Sequence, residues 1–191
     1  NATLIWNIKV LSNGKILAAT EQGIYISSDN GASWELSTLN GKDTRSIVVN
    51  AQGIIYVSTW GSGVYKSADN GNTWTTMNTG LTNNNINTLA INAQGTLFAG
   101  SFGEGVFRSN GTGWDRLSGD NHFVWTLYVD GQGSLICGTY GSGVFTSNDN
   151  GSSWTHLALS SNLNYTYGIT GDQNDNLYFI SFTGGVTVRN H

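Results

Sequence analysis

The sequence predicts an all-β fold, and three observations carry this prediction. The 191 residues include 26 glycines and no proline, and only 10% are charged, which is a composition of short strands and tight turns. Apolar residues alternate over stretches of four to eight positions, as in half-buried strands. Tryptophans recur every forty residues, at Trp34, Trp74, Trp114 and Trp154. We therefore expect one repeat protein built from β-strands.

Each repeat contains four predicted strands in the same order. An alternating strand such as Asn87–Ile91 is followed by a second apolar strand such as Ile55–Thr59. A glycine-hydrophobic-aromatic step such as Gly63-Val64-Tyr65 marks the third strand, and the repeated tryptophan introduces the fourth. Four-stranded units with a period of about forty residues are typical of β-propeller blades, which pack radially around a channel.

The chain is accordingly predicted to be a single five-bladed propeller of four-stranded antiparallel blades. The expected blades are residues 4–39, 42–80, 83–118, 121–159 and 162–191. The fifth copy is incomplete, so we expect Asn1 to Ile5 to pair with the last blade and close the ring, with residues 1–3 contributing to it. An arc belonging to a longer propeller is the alternative.

A second motif, Ser-x-Asp-x-Gly-x-Ser/Thr-Trp, links the third and fourth strands. Its members are Ser27, Asp29, Gly31 and Trp34; Ser67, Asp69, Gly71 and Trp74; and Ser147, Asp149, Gly151 and Trp154. The carboxylate is expected to accept hydrogen bonds from its own turn while the indole fills the space between neighbouring sheets. The third repeat keeps Trp114 but has no aspartate in this turn, which favours this structural role over a catalytic or metal-binding one.

These motifs resemble the Asp-box, or BNR, repeat of sialidases, xyloglucan-type glycoside hydrolases and sortilin-like receptors. The segments Gly80–Ile86 and Gly103–Phe107 are also similar to propeller repeats in the ectodomains of two-component sensors. The resemblance implies an extracytoplasmic propeller, secreted or periplasmic. It also implies that ligands bind on the face opposite the Asp-boxes.

That opposite face is predicted to carry aromatic side chains. The glycine-containing turns between the second and third strands carry an aromatic residue in four of the five repeats, at Trp60, Phe102, Tyr140 and Phe182. Exposed rings of this kind can stack on the apolar face of a sugar or on a partner's side chains. The alternative is that each ring packs against the next blade.

The first residues of the inner strands supply further candidates. The aligned positions are Trp6, Arg45, Asn87, Trp125 and Tyr165, and they have the side-chain parity of the expected core residues Ile8, Ile47, Leu89, Leu127 and Tyr167. Their variety is typical of a heterogeneous pocket, although exposed strand ends may simply vary. We expect Trp6, Trp125 and Tyr165 to line the mouth, and Arg45, Asn87, Asp43 and Asn85 to form hydrogen bonds with a ligand.

Other classes of function are disfavoured. The net charge of −4 and the eight scattered basic residues argue against nucleic acid as a partner, and no apolar stretch is long enough to cross a membrane. His122, His156 and His191 lack metal-ligand spacing, and no cofactor is expected. The sequence offers no convincing cluster of three arginines of the kind that sialidases use. Cys137, the single cysteine, is expected to be a buried apolar residue.

A glycosidase needs two facing carboxyl groups. Glu21, Asp43, Glu104 and Asp120 are available, but none lies in a motif that would raise its pKa. We therefore expect a protein without catalytic activity that recognises a carbohydrate or another small polar ligand. The alternatives are a protein-interaction, scaffold or sensor propeller from a larger exported protein and, less favoured, a glycoside hydrolase.

Overall fold

A computed structural model describes residues 4–117, 122–159 and 163–190, which form five antiparallel sheets. Asn1, Asp120 and His191, and the blade limits expected at residues 118, 121, 162 and 191, lie outside these residues. Among the residues described, there is no helix with the length and apolar character needed to cross a membrane.

We number the sheets 1 to 5 in chain order. Sheet 1 contains β1 (Ile5–Val10), β2 (Ile16–Thr20), β3 (Gly23–Ser27) and β4 (Glu35–Asn40). Sheet 2 contains β5 (Asp43–Val49), β6 (Ile55–Trp60), β7 (Gly63–Ser67) and β8 (Thr75–Thr76). Sheet 3 contains β9 (Ile86–Ile91), β10 (Leu97–Ser101), β11 (Gly105–Ser109) and β12 (Trp114–Arg116).

The last two sheets follow the same plan. Sheet 4 contains β13 (Val124–Val129), β14 (Leu135–Thr139), β15 (Val144–Ser147) and β16 (Thr155–His156). Sheet 5 contains β17 (Thr166–Gly171), β18 (Leu177–Ser181) and β19 (Gly185–Arg189). Four sheets thus have four strands and one has three within the described residues. Every pairing is between strands that are consecutive in the chain, so each sheet is the predicted up-and-down meander.

The sheets are arranged radially. The first strand of each sheet lies beside the first strand of the next, which brings β1 against β5, β5 against β9, β9 against β13 and β13 against β17. These five strands surround a narrow central channel. The arrangement is that of a β-propeller, with the first strand of each sheet innermost.

The core lies between successive sheets, in four separate layers. In the first layer, Leu17 and Ile24 of sheet 1 pack with Ile47 and Val57 of sheet 2, and all four are buried. The layers between the later sheets are built in the same way. Cys137 is fully buried in the layer between sheets 3 and 4, which confirms its expected apolar environment.

The repeated tryptophans pack on the preceding sheet. Trp74 packs against the layer between sheets 1 and 2, Trp114 belongs to the layer between sheets 2 and 3, and Trp154 packs against the layer between sheets 3 and 4. The Trp114 indole donates to the carbonyl of Met77 in the preceding repeat (2.7 Å). Trp34 is the exception and is exposed, because the described residues place no sheet before sheet 1.

Two sequence-based expectations about the chain's ends and core are wrong. Ile5 pairs with Thr20 and the carbonyl of Leu4 accepts from the Glu21 N–H (3.4 Å), so these two residues belong to sheet 1 and do not complete sheet 5. Residues 1–3, which were also expected to close the ring, lie outside the described residues. Ile8 and Tyr167 are exposed although both were expected in the core. For Ile8, the reason is the missing neighbour of sheet 1; for Tyr167, it is a shift of strand register.

Candidate functional site

One end of the propeller carries the three aspartate turns. In the first, the carboxylate of Asp29 accepts hydrogen bonds from the Ser33 hydroxyl (2.5 Å), the Ser33 N–H (2.8 Å) and the Ser27 hydroxyl (2.8 Å). The Trp34 indole donates to the carbonyl of Gly31 (3.1 Å). These bonds join both ends of the turn, so the aspartate organises its own loop.

Hydrogen bonding also sets the charge of these aspartates. The Ser33 hydroxyl, followed by the Ser33 N–H and the Ser27 hydroxyl, lowers the pKa of Asp29 to about 2. Asp69 and Asp149 have the equivalent partners in their turns, and each has a pKa of about 2. Each carboxylate is therefore ionised and occupied by its own turn, as expected for a structural residue.

The opposite end is formed by the turns between second and third strands. In sheet 2 the buried Thr59 hydroxyl donates to the carbonyl of Gly63 (2.8 Å), closing a turn in which Gly61 and Gly63 have φ values of 87° and 77°. These angles favour glycine. The tight turn holds Trp60 at its apex, and Thr139 and Gly143 close the Tyr140 turn in the same way (2.7 Å).

Each inner strand contains a register shift near its start. The partners of Thr44 and Ser46 in β6 are Thr59 and Ser58, so Arg45 is an extra residue in β5. The residues at this position in the five strands are Trp6, Arg45, Asn87, Trp125 and Tyr167. All five line a channel cavity of about 150 Å³. A bulge turns its extra side chain away from the alternation of the strand, which is why these side chains enter the channel.

The bulge corrects the prediction for the fifth strand. Tyr167 occupies the channel position in β17, and the core position opposite Phe179 belongs to Ile169. Tyr165 lies two residues earlier, where it forms a backbone bridge with Tyr140. In the other four strands the channel residue lies two positions before the core residue. The sequence alignment assigns Tyr167 to the core position that Ile169 occupies, so it places the channel residue two positions too early, at Tyr165.

Arg45 is held between two tryptophans at the channel mouth. Its Cζ lies 4.1 Å from the centroid of the Trp6 ring and 5.2 Å from that of the Trp60 ring. Asp43 accepts from Arg45 Nη2 (2.5 Å) and from the Trp6 indole (3.1 Å). Arg45 Nε is buried and has no partner in the structure. The guanidinium is therefore fixed in place while retaining one unused donor.

Aromatic rings continue from this point around the mouth. We call this set the aromatic rim; it consists of Trp60, Phe102, Phe123, Trp125, Tyr140 and Tyr165. The centroid of Phe102 lies 5.2 Å from that of Trp60 and 6.2 Å from that of Tyr140. Tyr140 in turn lies 4.9 Å from Tyr165. The rings pack on one another, yet Trp60 and Tyr140 remain exposed. Packing on the next blade and accessibility to a ligand were expected as alternatives, and these rings combine both.

A cavity of about 670 Å³ opens beside the aromatic rim. Trp6 of sheet 1 lies on one side, and Trp125 and Tyr140 of sheet 4 and Tyr165, Tyr167 and Phe182 of sheet 5 form the rest of its aromatic lining. Phe182 is 85% exposed. Trp60 and Phe102 adjoin the cavity through the rim and do not line it. A cavity of this size with mainly apolar walls is suited to a small ligand.

Several of the predicted polar residues are occupied by the protein itself. The side-chain amide of Asn87 donates to the carbonyl of Trp125 (2.8 Å). Asn85 contributes its backbone carbonyl, which accepts from the Phe102 N–H (3.0 Å); this bond does not involve its side chain. Among the carboxylates considered, Asp43 binds Arg45, and Glu104 accepts a hydrogen bond from Thr82. Asn85 and Asn87 thus position the aromatic rim and the channel wall.

Two residues of this site were missed by the sequence reasoning. Phe123 forms a backbone bridge with Phe102, and the two rings are tilted at 45° with their centroids 4.6 Å apart. Tyr167 lines both the channel and the larger cavity. The bulge repeats in all five inner strands, so counting back from the buried hydrophobic of each strand would have found Tyr167. No repeated motif marks Phe123.

Comparison with protein families identifies the fold's relatives. The sequence profile of the DUF6242 beta propeller domain matches residues 35–183, which is more than half of the chain. The chain belongs to this family. No curated protein sequence matches the DUF6242 propeller described here.

Solved structures with a similar fold are distant in sequence. Virginiamycin B lyase from Staphylococcus aureus superposes with a TM-score of 0.76 at 12% identity, covering 97% of this chain and 69% of the lyase. The extracellular domain assigned to a hybrid two-component system of B. thetaiotaomicron gives 0.74 at 18% identity, covering 97% of this chain and 27% of that one. YCF48 bound to D1 peptide gives 0.74 at 13% identity, covering 99% and 65%.

These neighbours correct one expectation for the DUF6242 propeller. The sequence predicts a protein without catalytic activity, yet virginiamycin B lyase is an enzyme built on a similar fold. The neighbouring structures therefore contradict that expectation. At this level of identity the likeness concerns the fold.

Proposed function

We infer that the DUF6242 propeller described here binds a carbohydrate, or a polar ligand of similar shape, in the cavity beside the aromatic rim. The observation that carries this proposal is the combination of exposed rings from sheets 4 and 5 with the clamped Arg45 of sheet 2 around one channel mouth. Sugars present both an apolar ring face and hydroxyl groups, so they need both kinds of contact.

Tyr140 and Phe182 would stack on the sugar ring. Both line the cavity and both are among the exposed aromatic residues of the chain, so a ligand can reach their faces. Trp60 and Phe102 would extend this contact for a longer saccharide, because they continue the rim away from the cavity. Stacked ring pairs contribute roughly 0.5–1.5 kcal/mol each beyond buried area.

Polar contacts would come from the channel side. Arg45 lines the channel cavity, which adjoins the ligand cavity, and the Tyr167 side chain lines both cavities. Asp43 fixes the Arg45 guanidinium, so a ligand meets a donor that is already ordered. Ordering a group before binding lowers the entropy cost of the complex.

The test is a glycan array followed by titration of any hit with wild type and variants. Phe182→Ala should weaken binding by about tenfold while leaving thermal unfolding unchanged. Tyr140→Ala should weaken binding by a similar factor and also lower the unfolding midpoint slightly, because its ring packs on Phe102 and Tyr165. Trp60→Ala should weaken long saccharides more than short ones. Trp34→Ala is the matched control, because Trp34 is similarly exposed at the opposite end of the propeller.

A protein ligand is the second candidate. The continuous row of rings from Trp60 to Tyr165 and the structure of YCF48 bound to D1 peptide favour an extended peptide lying on the aromatic rim. A blank glycan array together with saturable binding on a peptide array, lost in Phe182→Ala, would decide for this candidate. Loss of glycan binding in Trp34→Ala as well would contradict both, because that residue lies far from the rim.

We also propose that the aspartate turns are of the Asp-box type and that the domain works outside the cytoplasm. The three equivalent hydrogen-bond sets around Asp29, Asp69 and Asp149 support the first proposal. Similar folds in extracellular domains of B. thetaiotaomicron sensor systems support the second. Fractionation of the native organism with an antibody against the domain tests the location.

A further inference from the structure

The two end sheets expose positions that the other sheets bury. In β1, Ile8 lies opposite Ala18, as Ile47, Leu89 and Leu127 lie opposite the equivalent residues of their own sheets. Leu89 is 4% exposed because it packs on the preceding sheet, whereas Ile8 is 57% exposed. Val10, further along the same strand, is also exposed.

The tryptophans repeat this contrast. Trp114 packs on the preceding sheet and is 3% exposed, whereas Trp34, the corresponding residue of sheet 1, is 39% exposed. The first sheet therefore presents an apolar face with the same residue types that bury a neighbour elsewhere in the molecule.

Sheet 5 exposes the complementary face. Val186 lies opposite Ile180, in the position that Val64, Val106 and Val144 occupy in sheets 2, 3 and 4. Val144 is 1% exposed because the following sheet covers it, whereas Val186 is 64% exposed. In sheets 2 to 4 this face is covered by the following sheet, whereas in sheet 5 it is exposed at β19.

The space between these two faces is a radial sector that is narrow at the centre. Trp6 of sheet 1 and Tyr167 of sheet 5 line the same channel, so the inner ends of both sheets lie at one axis. Away from the axis, β1 and β17 are not packed together as the other neighbouring inner strands are in the described part of the chain. Such a wedge matches the outline of a blade. A second copy of this chain fits the sector less well, because all five of its sheets would have to lie within the sector and share the same axis.

We propose that this sector is filled by at least one further four-stranded blade of the same polypeptide. The blade next to sheet 1 presents a valine or isoleucine from its third strand to Ile8 and Trp34. The blade next to sheet 5 presents an inner-strand leucine or isoleucine and a tryptophan to Val186. The complete ring then has more blades than the five sheets described, and its channel mouth includes residues beyond those already named.

Thiol labelling in two contexts tests the proposal. Ile8→Cys and Val186→Cys are compared in residues 1–191 alone and in the polypeptide as its native organism makes it, with Thr75→Cys as the control on the exposed strand β8. Cys137 is buried and should remain unlabelled in the folded protein. All three new thiols should react rapidly in residues 1–191. In the native polypeptide Ile8→Cys and Val186→Cys should react about a hundredfold more slowly, with Thr75→Cys unchanged.

Two results would overturn the proposal. Equal labelling in both contexts would show that the end faces stay open. Protection in residues 1–191 alone, accompanied by a doubled molecular mass, would show that a second copy covers them. Ile8→Asp and Val186→Asp provide a second readout: both should leave the unfolding midpoint of residues 1–191 unchanged and lower that of the native polypeptide.

Discussion

The guanidinium of Arg45 lies over the ring of Trp6, with Cζ 4.1 Å from its centroid, while both side chains bind the same carboxylate of Asp43. Sheets 1 and 2 are therefore joined at the channel mouth by a contact that is partly ionic and partly aromatic. Because Arg45 is largely enclosed, this contact is better shielded from solvent than a surface ion pair.

Arg45→Met should destabilise the fold and loosen Trp6. We expect the free energy of unfolding to fall by about 1 kcal/mol, since the variant loses the cation–π contact and the ion pair. Urea unfolding measures this change. A double-mutant cycle with Asp43→Asn should show positive coupling, and strict additivity would contradict the contact described.

The pKa of Asp69 should respond to its turn. Thr73→Val removes the hydroxyl that contributes most to lowering the pKa of Asp69 to about 2, so this pKa should rise toward the model-compound value of 3.8. Carboxyl chemical shifts followed by NMR between about pH 1.5 and 6 measure it, because this range includes both values. Thr75→Val, two residues away on β8, is the control and should leave Asp69 unchanged.

Acid should destabilise the fold through the same three turns. The folded pKa values of Asp29, Asp69 and Asp149 lie at about 2, below the ordinary 3.8, so the unfolded chain binds more protons between these values. Their stabilisation is complete above pH 3.8 and is lost as the pH falls through about 2. The thermal unfolding midpoint should therefore fall as the pH is lowered from about 5 to 2. A triple variant in which asparagine replaces Asp29, Asp69 and Asp149 should show a smaller fall.

Replacing equivalent tryptophans should have unequal costs. Trp114→Ala removes a buried indole and its hydrogen bond to Met77, and should lower the free energy of unfolding by about 3–5 kcal/mol. Trp34→Ala should cost far less in residues 1–191, because that indole is exposed at the end of the arc. Chemical denaturation of both variants tests the difference, and equal losses would contradict the packing assigned to sheet 1.

Replacing Gly63 with alanine should destabilise the fold more than replacing Gly53. Both have positive φ, at 77° and 79°, so alanine carries a backbone cost of roughly 1–2 kcal/mol at either site. At Gly63 the new Cβ would also collide with the amide of Asn78, whereas the space around Gly53 is open. Gly63→Ala should therefore lower the unfolding midpoint more than Gly53→Ala.

The repeat explains why much of the fold could be predicted from the sequence. The recurrence of Trp34, Trp74, Trp114 and Trp154 and the strand patterns between them predicted the order of strands in each sheet and the propeller architecture. The roles of Asp29, Asp69 and Asp149 within their own turns also followed from local chemistry, because hydroxyl and amide donors lie within four residues of each carboxylate.

The site was harder to predict because it depends on contacts between repeats. The alignment of the repeats assigns Tyr167 to the core position that Ile169 occupies in β17, so it selects Tyr165 for the channel position where Tyr167 lies. Asn87 was expected to face a ligand and instead binds the backbone of Trp125 in the next sheet. Contacts between sheets leave no signal within a single repeat. The number of blades in the ring also depends on such contacts, so one repeat does not determine it.

The bulge in each inner strand allows the side chain in the channel to vary independently of the backbone pairing within the sheet. The residues before and after the bulge keep their partners in the second strand whichever side chain the bulge carries. The bulged residue is Trp6 in sheet 1, Arg45 in sheet 2 and Asn87 in sheet 3, and the pairing around it is the same in all three. Five positions around the axis can therefore change one at a time without removing the backbone hydrogen bonds within each sheet. A library randomised at these positions alone would sample new binding specificities on an unaltered scaffold, which makes this propeller a natural starting point for engineered receptors.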